Sequence, residues 1–137
     1  MRYISLDNYR DTIILIARVA LMVLFIIFGW QKLTAFSYTA GYMQSLGLPL
    51  PSVAAAVAVI AEFGFGVLIA LGFFTRPLAL LMAVYTLVTS FIGHPYWHMT
   101  GMDQYANMIN FYKNISIIGG LLLLALIGPG RFSLDRR

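Results

Sequence analysis

The stretch Ser52–Phe74 reads SVAAAVAVIAEFGFGVLIALGFF and holds one charged side chain, Glu62, near its middle. As an α-helix rising 1.5 Å per residue it would run about 34 Å, slightly more than the hydrocarbon thickness of a bilayer. Working outward, Thr12–Leu33 has the same character, and two shorter apolar runs, Leu78–Ile92 and Phe111–Ile127, follow. Together they predict an all-α protein, a four-helix transmembrane bundle with helices over about 12–33, 52–74, 78–93 and 111–128. The third and fourth runs sit at the short end of spanning length, so each is expected to extend by a turn into its flanks. With 137 residues the chain has room for a single domain, 1–137.

Composition points the same way. Apolar residues make up 61% and charged residues 10%, with a mean hydropathy of +0.85. A soluble domain carries about 25% charged residues to cover its surface, so lipid must solvate much of this one. The net charge is +4, yet the basic residues form no cluster on a helix or stripe, which argues against nucleic acid as a partner. There is no cysteine, so thiolate catalysis, disulfide exchange and cysteine-held zinc or iron–sulfur sites are excluded within this chain. The first apolar run is too long for a cleavable signal and reads as a retained helix.

Helix breakers separate the runs. Pro49 and Pro51 precede the second, with Ser52 as a candidate N-cap. Gly72–Pro77 reads as a tight turn with Pro77 in the first turn of the third helix, and Gly93–His94–Pro95 and Gly128–Pro129–Gly130 end the last two. Arg2, Arg10, Arg76, Arg131, Arg136 and Arg137 fall on one side of this arrangement, and Lys32 and Lys113 on the other. By the positive-inside rule both termini are expected to be cytoplasmic. The two connections on the opposite side, Ala35–Leu50 and His94–Asn110, are long and rich in aromatics and methionine. They read either as interfacial aromatic belts or as a lid over a pocket.

The informative residues are ionisable groups at membrane depth. Arg18 lies about 10 Å into the first helix and Glu62 near the middle of the second. Each costs about 2.5–3.5 kcal/mol at a helix centre, so each should face protein or water. Ala54, Ala58, Glu62, Gly66 and Ala70 recur every four residues and place Glu62 on a face of small, close-packing side chains. Arg18, Phe25, Gly29 and Lys32 share a face of the first helix, while Lys113, Asn114, Ser116 and Gly120 give the fourth a polar side. Thr86, Thr89 and Gly93 give the third a weaker one. Glu62 is therefore expected to pair with a cation, Arg18 from one end or Lys32 or Lys113 from the other. Three consequences stay open, the first two being a structural ion pair that fixes helix register and a polar pocket for a small anionic or quinone-like molecule. A proton or ion path is a third.

His94 and His98 stand four apart, and with Asp103 they are weak candidates for a metal site, because Pro95 interrupts any helix that would bring them together. Gly64–Phe65–Gly66 lies inside an apolar helix and is a packing feature rather than a nucleotide loop. No spacing of Ser, His and Asp suggests a triad.

Several segments carry a family resemblance: Ala17–Arg18, Phe28–Gly29–Trp30–Gln31–Lys32, Tyr42–Met43–Gln44–Ser45–Leu46–Gly47 and Glu62–Phe63. Leu71–Gly72–Phe73–Phe74–Thr75–Arg76–Pro77, Asn110–Phe111–Tyr112–Lys113–Asn114, Gly128–Pro129–Gly130 and Ser133–Leu134–Asp135 continue it across nearly the whole chain. The chain resembles the DoxX family of small bacterial inner-membrane proteins. The resemblance implies four membrane helices, a multi-pass location in the inner membrane, and a polar set of Arg18, Lys32, Glu62 and Lys113. It also implies a link to quinone-dependent thiosulfate oxidation, oxidative stress or aromatic compounds, and the oxidoreductase label that many members carry. A thiol-based version of that chemistry does not carry over, since this chain has no cysteine.

Three functions follow. The first is an accessory or binding protein in redox or detoxification metabolism, holding a quinone or small acid near Arg18, Lys32, Glu62, Lys113 and Asn114. The second is a membrane oxidoreductase subunit, which would need a bound cofactor because no residue here carries electrons alone. The third is a small-solute transporter, though no inverted repeat or broken helix favours it. Expected partners are membrane lipid, a second copy of the chain or a redox partner protein.

Overall fold

The computed structural model describes residues 3–136; Arg2 and Arg137, two of the arginines assigned to one membrane flank, lie outside the described residues. Among the described residues every regular element is helical. Helix α1 is Arg10–Thr34, α2 Phe36–Ser45, α3 Pro51–Leu71, α4 Thr75–Gly93 and α5 Gly101–Ile127. All but α2 are long and apolar enough to cross a membrane. The protein is thus a four-span helical bundle with one short extra helix.

Its packing is that of a lipid-solvated protein. Met22, Phe25, Ile69, Met82 and Leu121 form the buried core, whereas Ile16, Val84, Leu123 and Leu126 are each more than half exposed within the spanning helices. Water would not tolerate so continuous an apolar surface. Helix α1 lies along α3, and α4 along α5, the two most extensive contacts in the fold.

Helix ends follow from local chemistry, and several differ from the sequence reading. Helix α3 stops at Leu71 rather than Phe74, because Gly72 turns left-handed (φ 74°) and the Phe73 and Gly72 amides donate back to Leu68 O and Ile69 O, each at 2.9 Å. It starts with Pro51 in its first turn, so Ser52 is not the N-cap; Leu50 holds that place with φ 50° and no side-chain bond. Helix α4 begins at Thr75 instead of 78, with Pro77 in its first turn. The largest differences are in the two long connections. Ala35–Leu50 contains α2, and α5 starts at Gly101, ten residues before Phe111. Both segments mix polar and apolar side chains, so a search for apolar runs does not register them, although their backbones are helical.

Candidate ligand-binding cavity

Helix α1 meets α3 at a glycine. A Cβ on Gly29 would stand 2.4 Å from Phe63 N, 2.8 Å from Phe63 Cα and 2.9 Å from Glu62 C, so the two backbones are in direct contact here. On α3 the same place carries a π-helical turn, Ile60–Phe65. A repeat of four residues drifts around a regular helix of 3.6 residues per turn. The wider π turn counters that drift and keeps Ala58, Glu62 and Gly66 on the buried side, a geometry frequent at functional sites. Ala54 and Ala70, at the ends of the series, are half-buried.

Glu62 is 8% exposed and both carboxylate oxygens are occupied. Lys32 Nζ, one turn beyond Gly29, donates to Oε1 at 2.8 Å, and the Tyr85 hydroxyl of α4 donates to Oε2 at 2.6 Å. Three helices therefore converge on one carboxylate. Lys32 keeps two further N–H donors and also lies 6.0 Å from the centre of the Phe28 ring.

This cluster borders a cavity of about 620 Å³, within the range of small-molecule sites. Phe25, Phe28, Leu46, Leu48 and Val57 supply much of its apolar wall. Met43, Leu46 and Leu48 come from α2 and the chain just after it, so the segment Ala35–Leu50 is a wall of the pocket, nearer to the lid reading than to a plain belt. Thr39 Oγ1 fixes α2 to the end of α1 through Lys32 O at 3.2 Å and Ala35 O at 3.0 Å. A second cavity of about 470 Å³ between α1 and α2 shares Phe28, Lys32 and Tyr42 with the first. Farther from Glu62 the main cavity is polar again: His94, Asn110, Lys113 and Asn114 line it. Lys113 Nζ donates to Asn110 Oδ1 at 3.1 Å, and Asn114 Nδ2 to Ser90 Oγ at 3.0 Å.

Arg18 does not belong to this cluster, contrary to the expectation that it can reach Glu62 from one end. It is 2% exposed, and its guanidinium donates to three backbone carbonyls: Ala70 O at 3.2 Å, Phe132 O at 2.8 Å and Pro129 O. The last two belong to the chain after α5, which folds back beneath the bundle. There the Leu134 and Asp135 amides donate to Leu71 O and Gly72 O at 3.1 and 2.9 Å. Asp135 in turn accepts from Phe74 N and Thr75 N at 3.1 and 3.0 Å, capping α4 from a distance of sixty residues in sequence. Arg18 is a clamp on this C-terminal plug, because carbonyls left bare at the end of α3 and in the chain after α5 need donors and a planar guanidinium supplies several at once.

The metal candidates are not brought together. Among the described residues no three His, Asp or Glu side chains converge, and His94 Nδ1 instead lies 2.8 Å from Asn107 Oδ1. Helix α4 ends at Gly93, so His94 and His98 share no helical face. Sequence reasoning missed Tyr85 and Asp135. The signal for Tyr85 was a phenol in an otherwise apolar span, whose buried hydroxyl needs an acceptor. Asp135 left no local signal, because the helix start it caps lies sixty residues away in sequence.

Comparison with known proteins gives a consistent picture. The family model DoxX matches residues 13–95, a span that includes Lys32, Glu62 and Tyr85 and ends before α5. The chain is 54% identical over 137 residues to "Inner membrane protein YphA" of Escherichia coli (strain K12), covering 100% of this chain and 98% of that one. It is 40% identical over 134 residues to "Inner membrane protein YqjF" of the same organism, covering 96% and 95%. No solved structure matches.

Proposed function

The chain belongs to the DoxX family and is a multi-pass inner-membrane protein, and from that and its cavity we propose that it binds a small amphipathic molecule, quinone-like or acidic, as an accessory component of redox or detoxification metabolism. The observation that carries this reading is the Lys32–Glu62–Tyr85 cluster standing at the wall of a largely apolar cavity. An ion pair needed only for helix register does not require 620 Å³ of space beside it. Glu62 holds Lys32 and Tyr85 in position, and the two remaining N–H donors of Lys32 suit a carbonyl or carboxylate oxygen. A quinone, if bound, would supply the electron chemistry that the side chains of a cysteine-free chain do not. On this reading the end with Arg10, Arg76, Arg131 and Arg136 faces the cytoplasm, and the cavity lies toward the other face.

Mass spectrometry of small molecules that co-purify with the protein from native membranes tests the reading. One compound enriched with the wild type, and depleted in Val57→Trp, which narrows the cavity at its rim, is expected. Equal small-molecule profiles for wild type, Val57→Trp and an unrelated membrane protein would overturn it. Glu62→Gln separates the site from the scaffold: a variant that folds normally but loses the compound counts against a purely structural pair.

A further inference from the structure

We infer that the Lys113 end of the cavity selects an anion, so that the ligand is an amphipathic monocarboxylate rather than a neutral molecule; this rests on the binding reading above. The charges that line the cavity decide it. They are Lys32, Glu62 and Lys113, with no second carboxylate among the lining residues. Lys32 and Glu62 neutralise each other at 2.8 Å, and the Tyr85 hydroxyl donates a hydrogen bond to the same carboxylate. Lys113 has no such counterpart. Among the described residues the ion pairs are Lys32–Glu62 and Arg10–Asp11, and Lys113 Nζ reaches the neutral amide oxygen of Asn110.

One uncompensated positive charge, on a side chain that is itself exposed, thus borders a mainly apolar space whose low-dielectric walls focus its field on an entering anion. Its neighbours complete a carboxylate cradle. Asn110 Oδ1 is taken by Lys113, which leaves the Asn110 amide N–H groups as donors. His94 has Nδ1 engaged with Asn107, leaving Nε2 as its remaining polar atom. Along α4 the nine residues from Tyr85 to His94 separate the two polar ends of the cavity by about 13 Å. Between them Phe25, Phe28, Leu46 and Leu48 form the wall that an apolar body would contact. A single carboxylate brings the lining to neutrality. An uncharged ligand leaves Lys113 without a counter-ion, and a dianion adds one negative charge more than the lining balances.

The test uses the full chain in phosphatidylcholine nanodiscs, with empty discs as background. Binding of radiolabelled decanoate, methyl decanoate and ubiquinone-1 is measured for wild type, Lys113→Gln and Lys113→Arg. Wild type is expected to bind decanoate more tightly than its ester, Lys113→Gln to bind decanoate about tenfold or more weakly, and Lys113→Arg to stay within about threefold. Ester and ubiquinone-1 should not respond to Lys113→Gln, a readout that mere loss of an interfacial anchor would not produce. If the ester or ubiquinone-1 binds as well as the acid, or Lys113→Gln binds decanoate like wild type, the anion assignment is overturned and the cavity reading stands. If none of the three binds above empty discs, both are overturned.

Discussion

Substituting Gly29 with alanine should pull apart the two helices that present Lys32 and Glu62. The new Cβ would lie 2.4 Å from Phe63 N, and all three of its nearest atoms are backbone, which no rotamer change can move aside. Restoring an ordinary 3.4 Å contact requires α1 and α3 to separate by about 1 Å, and overpacking of this kind costs about 1–3 kcal/mol. Carried to the next turn of α1, the same shift would stretch the 2.8 Å Lys32–Glu62 contact beyond hydrogen-bonding reach. Gly119→Ala is the matched control, because its Cβ would meet nothing within 4 Å. That change should be neutral or stabilise by up to about 1 kcal/mol through helix propensity. Reversible unfolding in bicelles measures both. Equal stability of Gly29→Ala and Gly119→Ala would refute the backbone contact on which the placement of Glu62 depends.

Other perturbations have equally definite outcomes. Arg18→Met should cost at least about 1.5–3 kcal/mol, the worth of one hydrogen bond to a charged group, and should speed tryptic cleavage after the already exposed Arg131 as the C-terminal plug detaches; unchanged proteolysis would contradict the clamp. Asp135→Ala removes the cap of α4 and should cost about 1 kcal/mol by thermal unfolding, with the plug otherwise retained. Lys32→Met leaves a buried carboxylate unpaired and should cost about 3–5 kcal/mol, whereas Lys32→Met combined with Glu62→Leu should recover most of it. A double variant no more stable than Lys32→Met alone would show that the pair is not the coupled unit described.

Much of this architecture was legible in the sequence, because lipid solvation leaves a simple mark: four apolar runs divided by Gly and Pro. Glu62 and Lys32 were legible for a related reason, since a charge at membrane depth demands a partner. The errors have physical causes too. Arg18 met the same depth criterion as Glu62, but periodicity gives the face of a residue and not the length or direction of its side chain. Two of the three carbonyls that claim it belong to a segment more than a hundred residues away. Helix α2 and the first turns of α5 went unseen because they carry mixed side chains near the membrane boundary, where no apolar run marks them. The π turn at Ile60–Phe65 leaves no pattern that composition could reveal.

The most direct measurement is a structure determined in native-membrane nanodiscs at a resolution that shows bound small molecules. Non-protein density in contact with Lys32 and Tyr85, with Glu62 held between those two side chains, is the predicted result. A Glu62 side chain turned out to the acyl chains, with α2 collapsed onto α3 where the cavity stands, would contradict it.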